Sequence, residues 1–130
     1  MANIERYCPQ GLFSPPGYSQ GVKVTNASTI LFLAGQVPYE PNGTPAFRGD
    51  FRAQARHVFG AVKTLVEAQG GTLANVVKII TFVTDIRYRM DFGVVRDEFF
   101  PSNKPASTFL QVASLSHPDY MIEVEAIAVI

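Results

Sequence analysis

"DFRAQARHVFGAVKTLVEAQGGTLANVVKIITFVTDI", residues 50–86, contains two different periodicities in immediate succession. In its first half Phe51, Ala55, Val58, Phe59, Val62, Leu65 and Val66 recur at steps of three and four, which draws one apolar stripe along a helix. Asp50 stands where an N-cap is needed, and Gly70-Gly71 supply the stop. "NVVKIITFVTDI" (75–86) then turns to β-branched residues over a length suited to a strand. A striped helix running straight into an apolar strand implies a helix layer packed on a sheet.

Working outward, a second helix is expected from about Tyr88 to Phe100, weakened by Gly93 and closed by Pro101. A strand at 106–113 follows, "SLSHPDY" turns the chain, and "MIEVEAIAVI" (121–130) is the last strand. Upstream, "VKVTNASTILFLAGQV" (22–37) reads as two strands joined by a turn at Asn26–Ser28. "CPQGLFSPPGYSQG" (8–21) is expected to be irregular, and "PYEPNGTPAFRG" (38–49) a loop with a tight turn at Asn42-Gly43. The order is β-β-α-β-α-β-β in a single domain over 1–130. Its class is α+β, a mixed sheet with two helices on one face.

Composition bounds the function. The chain has 130 residues, enough for a real core, and 47% of them are apolar. Eleven basic residues balance eleven acidic ones, so no net field favours nucleic acid or an anionic membrane. No basic-aromatic stripe suggests a nucleic-acid surface. No apolar run approaches the roughly 18 residues of a membrane helix. Cys8 is the only cysteine, and "MANIERYCPQ" lacks the apolar region of a signal peptide. A cytoplasmic, soluble domain is the expectation. His57 and His117 with Cys8 have no metal-ligand spacing, and no G-x-S-x-G elbow is present.

The strands raise the question of what covers the second sheet face. In the last strand Ile122, Val124, Ala126 and Ala128 share one side, suited to lie under helices. Met121, Glu123, Glu125, Ile127 and Val129 share the other, too apolar for water and too charged for a dry core. With both helices already used, a partner subunit is the simplest cover. Clefts between subunits are then natural sites for small molecules. In "KPASTFLQV" (104–112), Ser107, Phe109 and Gln111 form a candidate ligand wall, while Thr108, Leu110 and Val112 are expected to be ordinary core. On the second helix Phe92, Val95, Arg96 and Phe99 place a guanidinium on an apolar stripe, where it must pair or snorkel. Either it is a cation for the cleft, or it pairs with Glu123, Asp97 or a neighbouring chain's acid.

Six stretches together resemble the Rid family, the reactive-intermediate deaminases also called RidA/YjgF. They are "GYSQGV" (17–22), "LFLAGQVP" (31–38), "AQARHVFGAVKTLVEAQGGTLANVVKIITFVTD" (53–85), "FGVVRDEFF" (92–100), "KPAST" (104–108) and "IEVEAIAV" (122–129). The resemblance implies a chorismate-mutase-like fold, a homotrimer with three intersubunit clefts, and hydrolysis of enamines and imines to ketones and ammonia with no metal or organic cofactor. It implies that Glu123 positions or activates water, that Tyr18 borders the cleft, and that Gly35 allows close backbone approach there. It also marks a departure. Deaminating members have an arginine after Pro-Ala that clamps the substrate carboxylate, and this chain has Ser107. Losing such a pair costs roughly 2–5 kcal/mol of binding, so the usual amino-acid-derived imines are unfavourable substrates. Phe109 replaces a smaller, often thiol-bearing pocket residue. Arg96, Ser107 and Phe109 join Tyr18 and Gly35 as substrate-binding candidates, with Glu123 as the catalytic one and Glu125 as an interface or surface carboxylate. The alternative is a non-catalytic small-molecule binding protein of the same fold.

Overall fold

Asp50 caps the first helix: its carboxylate accepts from the Ala53 N–H at 3.1 Å, and α1 runs Phe51–Glu67 in the computed structural model, which describes residues 2–130. Gly70 takes a φ of +83°, and the Gly71 N–H closes on the Val66 carbonyl, which ends the helix as the two glycines predict. The stripe is buried as expected except at Leu65, which is exposed. Gln54, polar and absent from the predicted stripe, is fully buried. Its amide donates to the carbonyls of Ala46, Phe47 and Asp119, and its oxygen accepts from the Met121 N–H. A fully paired amide avoids the penalty of a buried orphan and ties two loops to α1.

Strand β4 (Val76–Val83) follows, then α2 (Arg89–Phe99), β5 (Ala106–Gln111) and β6 (Ile122–Val129). With β3 (Ile30–Gln36) they form a four-stranded sheet in the order β3-β6-β4-β5. β6 is antiparallel to both neighbours, and β4 is parallel to β5 with α2 as the crossover. Both helices cover one face. Phe59 of α1 packs against Phe92, Phe99 and Phe100 over Ile79, Val83, Ile122 and Val124.

The N-terminal third differs from the sequence reading. An additional strand, β1 (Asn3–Tyr7), pairs antiparallel with β2 (Gly21–Thr25) as a separate two-stranded sheet. β2 and β3 therefore do not pair. Asn26, at φ +58°, swings the chain from one sheet into the other. The stretch "NIERY" holds only two strand-favouring residues, Ile4 and Tyr7, too small a signal to stand out.

The register also corrects one face. Ser107 and Phe109 pair with Ile79 and Thr81, so they lie on the helix-covered side. Thr108 and Leu110, expected in the core, pair with Ile80 and Phe82 on the open side. Parallel pairing to β4 decides this, because alternation fixes which residues share a side but not which side faces the helices. The open side carries Lys78, Ile80 and Phe82 of β4, Glu123, Glu125 and Ile127 of β6, and Phe32 of β3, which is 77% exposed. Val129, opposite Ile30, keeps the side assigned to it from the sequence but is buried there. Among the described residues no helix is long and apolar enough to cross a membrane.

Candidate functional site

The first turns of the chain reach the sheet at the entry to β5. Ser19 pairs with Ala106, its N–H donates to the Pro105 carbonyl at 3.0 Å, and its hydroxyl donates to the Lys104 carbonyl. Arg6 fixes the β1–β2 sheet to the same place, donating to the carbonyls of Lys104 (3.1 Å) and Ala74 (2.9 Å). Gly17 and Tyr18 are thereby held beside β5. On α2, Arg89, Phe92 and Arg96 stand at steps of three and four and share one side.

Together these elements enclose a cavity of about 350 Å³ lined by Tyr18, Ile86, Arg89, Phe92, Arg96, Ser107 and Phe109. Its apolar part is made by Phe92 and Phe109, whose ring centroids are 4.8 Å apart. The Arg96 guanidinium lies 5.8 Å from the Phe92 ring centroid, within cation–π range. The same guanidinium rests on Gly17: a Cβ there would run into Cζ, Nη1 and Nη2. Gly17 is needed for this close approach, not for turn geometry.

Arg96 is partly engaged. Its Nε donates to Asp97 Oδ1 at 3.0 Å, and the Lys104 ammonium donates to the same oxygen at 3.1 Å. Burial pushes the Asp97 carboxyl up, but the hydrogen bonds from Arg96 and Lys104, with their charges, outweigh it and hold it below its ordinary value. Nη1 and Nη2 of Arg96 have no hydrogen-bond partner among the described residues. No carboxylate lines the cavity. The site can therefore take an anion against an aromatic wall, with the Tyr18 and Ser107 hydroxyls as further donors.

Glu123 and Gly35 are elsewhere. Glu123 sits opposite Phe82 on the open side of the sheet. Its carboxylate rests on Gly35, inside the irregularity between Leu33 and Gln36 of β3, where any Cβ would collide with Oε2. Burial, and then the charge of Glu125, push the Glu123 carboxyl above its ordinary value. Of the six residues singled out in the sequence, the structure thus gathers Tyr18, Arg96, Ser107 and Phe109 in one cavity. It places Gly35 and Glu123 together on the other side of the sheet. Arg96 and Glu123 do not pair; of the acids considered from the sequence, Asp97 is the one Arg96 touches. Sequence reading missed Arg89, Ile86 and Gly17. The seven-residue interval from Arg89 to Arg96 was visible and places both on one helix side; the role of Gly17 has no sequence signal.

The family described as Endoribonuclease L-PSP matches residues 12–130. A RutC family protein of Pyrococcus horikoshii is 36% identical over 111 residues, spanning 85% of each chain. A RutC family protein of Pyrococcus abyssi is 35% identical over 85% of this chain and 84% of its own. Among solved structures, a protein of the conserved Rid family from Yersinia pestis, YyfB, superposes with a TM-score of 0.89 at 28% identity, covering 98% of this chain and 99% of that one. TdcF of E. coli, solved with bound serine, gives a TM-score of 0.71 at 32% identity over 92% and 91% of the two chains. The chain belongs to the Rid (YjgF/RidA) family, to which the L-PSP description also applies, and its fold is the fold of that family.

Proposed function

We propose that this protein hydrolyses a small enamine or imine in a cleft completed by a second copy of the chain, within a homotrimer. The observation that carries this is the division of the chemistry by the sheet. The cavity has a guanidinium, two hydroxyls and an aromatic wall but no carboxylate, while a carboxylate with a raised pKa lies on the opposite, uncovered side. A single chain does not bring them together; a neighbour laid on the open side can. A cavity of about 350 Å³ with two phenylalanines in its wall is scaled to a metabolite, not to a nucleic-acid chain.

In this reading Glu123 takes a proton from water as the water oxygen bonds to the imine carbon, and the C=N π pair moves to nitrogen, which takes up that proton to give a carbinolamine. The carbinolamine hydroxyl then gives its own proton, through Glu123, to nitrogen as the C–N bond breaks, so that ammonia and a carbonyl compound leave. A carboxyl whose pKa is raised by burial is a better proton acceptor than an ordinary one. Arg96 supplies from α2 the cation that the family resemblance would place at position 107 of β5, where this chain has the neutral Ser107; both line one cavity.

The test is ammonia release from a panel of enzymatically generated imines. Turnover of at least one is expected, with Glu123→Gln lowering it by about 10²-fold or more. 2-Aminoacrylate is expected to be a poor substrate, improved by Ser107→Arg. Release no faster than in buffer across the panel overturns the enzymatic reading. It would favour a binding protein of the same fold, the reading that Ser107 itself suggests.

A further inference from the structure

The charges on α2 are unevenly satisfied. Asp91 pairs with Arg52 at 2.7 Å, and Glu98 takes Arg56 in a two-toothed contact at 2.9 Å, both across to α1. Asp97 is shared by Arg96 and Lys104 at the helix end. Asp91 and Glu98 are therefore committed to α1, and Asp97 takes only the Nε edge of Arg96 without itself lining the cavity. Arg89 lines the cavity and has neither a hydrogen bond nor an ion pair among the described residues. Arg87, two residues earlier, is instead turned onto Asp85. In a chain of zero net charge, the cavity thus holds two guanidiniums with no acid between them.

Their spacing is set by the helix. Seven residues separate Arg89 from Arg96, about 10.5 Å of axis at 1.5 Å per residue. Every Cα–Cβ bond of the helix tilts toward its N-terminus, and the Arg96 guanidinium lies that way, beside Gly93; an Arg89 side chain following the same tilt keeps the offset at the charged ends. Two charge-assisted contacts of roughly 3 Å each leave about 4–5 Å between the anionic groups they would hold. That is the span of a four- or five-carbon dicarboxylate. Gly93, between the two arginines, adds no side chain to this stretch of wall; a Cβ there would meet only the tip of Arg96.

We infer that the cavity selects a small metabolite with two carboxylates, Arg96 holding one and Arg89 the other. The substrate would then be the imine of a four- or five-carbon dicarboxylic keto acid. This rests on the cavity being the substrate site of the proposed hydrolase. It also accounts for a chain that has lost the strand arginine: two helix arginines, one at each end of the ligand, stand in for one.

The experiment is isothermal titration of the purified oligomer with succinate and glutarate, against butyrate and pentanoate. The dicarboxylates are expected to bind about five- to tenfold more tightly, the worth of one additional partly exposed ion pair. Arg89→Gln should bring them to within about twofold of the monocarboxylates, and Arg96→Gln should weaken both kinds. Arg87→Gln, outside the cavity, should change neither, which separates a specific contact from a general loss of positive charge. Melting temperatures of all variants confirm folding; Arg89 and Arg87 are exposed. Equal affinity for the two kinds of acid, or an Arg89→Gln variant that keeps its preference, overturns the dicarboxylate inference and leaves the hydrolase reading standing. No binding of either kind, with no ammonia released from any imine, overturns both.

Discussion

The two sides of the sheet are built to different rules. On the covered side, β6 contributes Ile122, Val124, Ala126 and Ala128 to a core in which Phe59 is wholly buried. On the open side the same strand contributes Glu123, Glu125 and Ile127, next to Phe32 with most of its ring in solvent. Each side also has one glycine that yields its space to a charged group: Gly17 to Arg96, and Gly35 to Glu123. One side is complete in a single chain and the other is not. Because strand residues alternate, a carboxylate on β6 that is one residue out of phase with the core cannot reach the α2 cavity of its own chain. Stability is concentrated on one side, and the proposed chemistry requires something to be laid on the other.

The sharpest contrast is between Phe59 and Phe32. Phe59→Ala should cost about 3–5 kcal/mol, since the ring is buried among three other phenylalanines and its removal leaves a cavity. Denaturant unfolding measures it. Phe32→Asp should leave secondary structure intact by circular dichroism but convert the proposed trimer to monomers by light scattering, because a charge would be set into the seam that this proposal places on the open side. A wild-type protein that is monomeric at micromolar concentration would break the comparison, and with it the intersubunit cleft.

The next contrast is between the two glycines. Gly17→Ala places a methyl group in the space of the Arg96 guanidinium, and the side chain must move. Carboxylate affinity should fall by about tenfold, the loss of one charge-assisted contact, with little change in melting temperature. Gly35→Ala displaces the Glu123 carboxylate instead, and should lower turnover more than it lowers carboxylate affinity. If both substitutions change affinity and turnover in the same proportion, the division of binding and proton transfer between the two sides is wrong.

How much of this was legible in the sequence follows from which interactions are local. Helix α1 was readable because its stripe, its Asp50 cap and its glycine stop all lie within about twenty residues and agree. The alternation in β6 was readable for the same reason, and it indicated correctly that one side would lie under helices. The side of Ser107 was not readable, because it depends on the pairing of β5 with β4. Nor was β1, which is held by partners from residue 21 onward and by Arg6 reaching Lys104. Gln54 was missed because its four partners come from loops on both sides of it in the chain. The resemblance pointed to Tyr18, Ser107 and Phe109, and the helix stripe to Arg96. It could not show that Gly35 and Glu123 lie across the sheet from them, since that separation exists only in three dimensions.

The smallest expected effect is also the one whose sign says most. Glu123 has its carboxyl pushed up, first by burial and then by Glu125. Between its ordinary value and the raised value in the fold, the folded chain holds a proton that the unfolded chain has released. Stability therefore falls as pH rises through that window, and the penalty stays constant above it. Glu123→Gln removes the penalty. The variant should melt at the same temperature as the wild type near pH 4 and slightly higher at pH 7, by a modest amount because the group is only partly buried. The result would reverse if a cation of a neighbouring copy paired with Glu123 in the assembled protein. Such a pair would depress the carboxyl and make its stabilisation present at neutral pH and lost on acidification, so that Glu123→Gln would melt lower at pH 7. A carboxylate held in that way is a poor proton acceptor. Melting curves of the two proteins from pH 4 to pH 8 thus distinguish a Glu123 left available for water from one spent on holding subunits together.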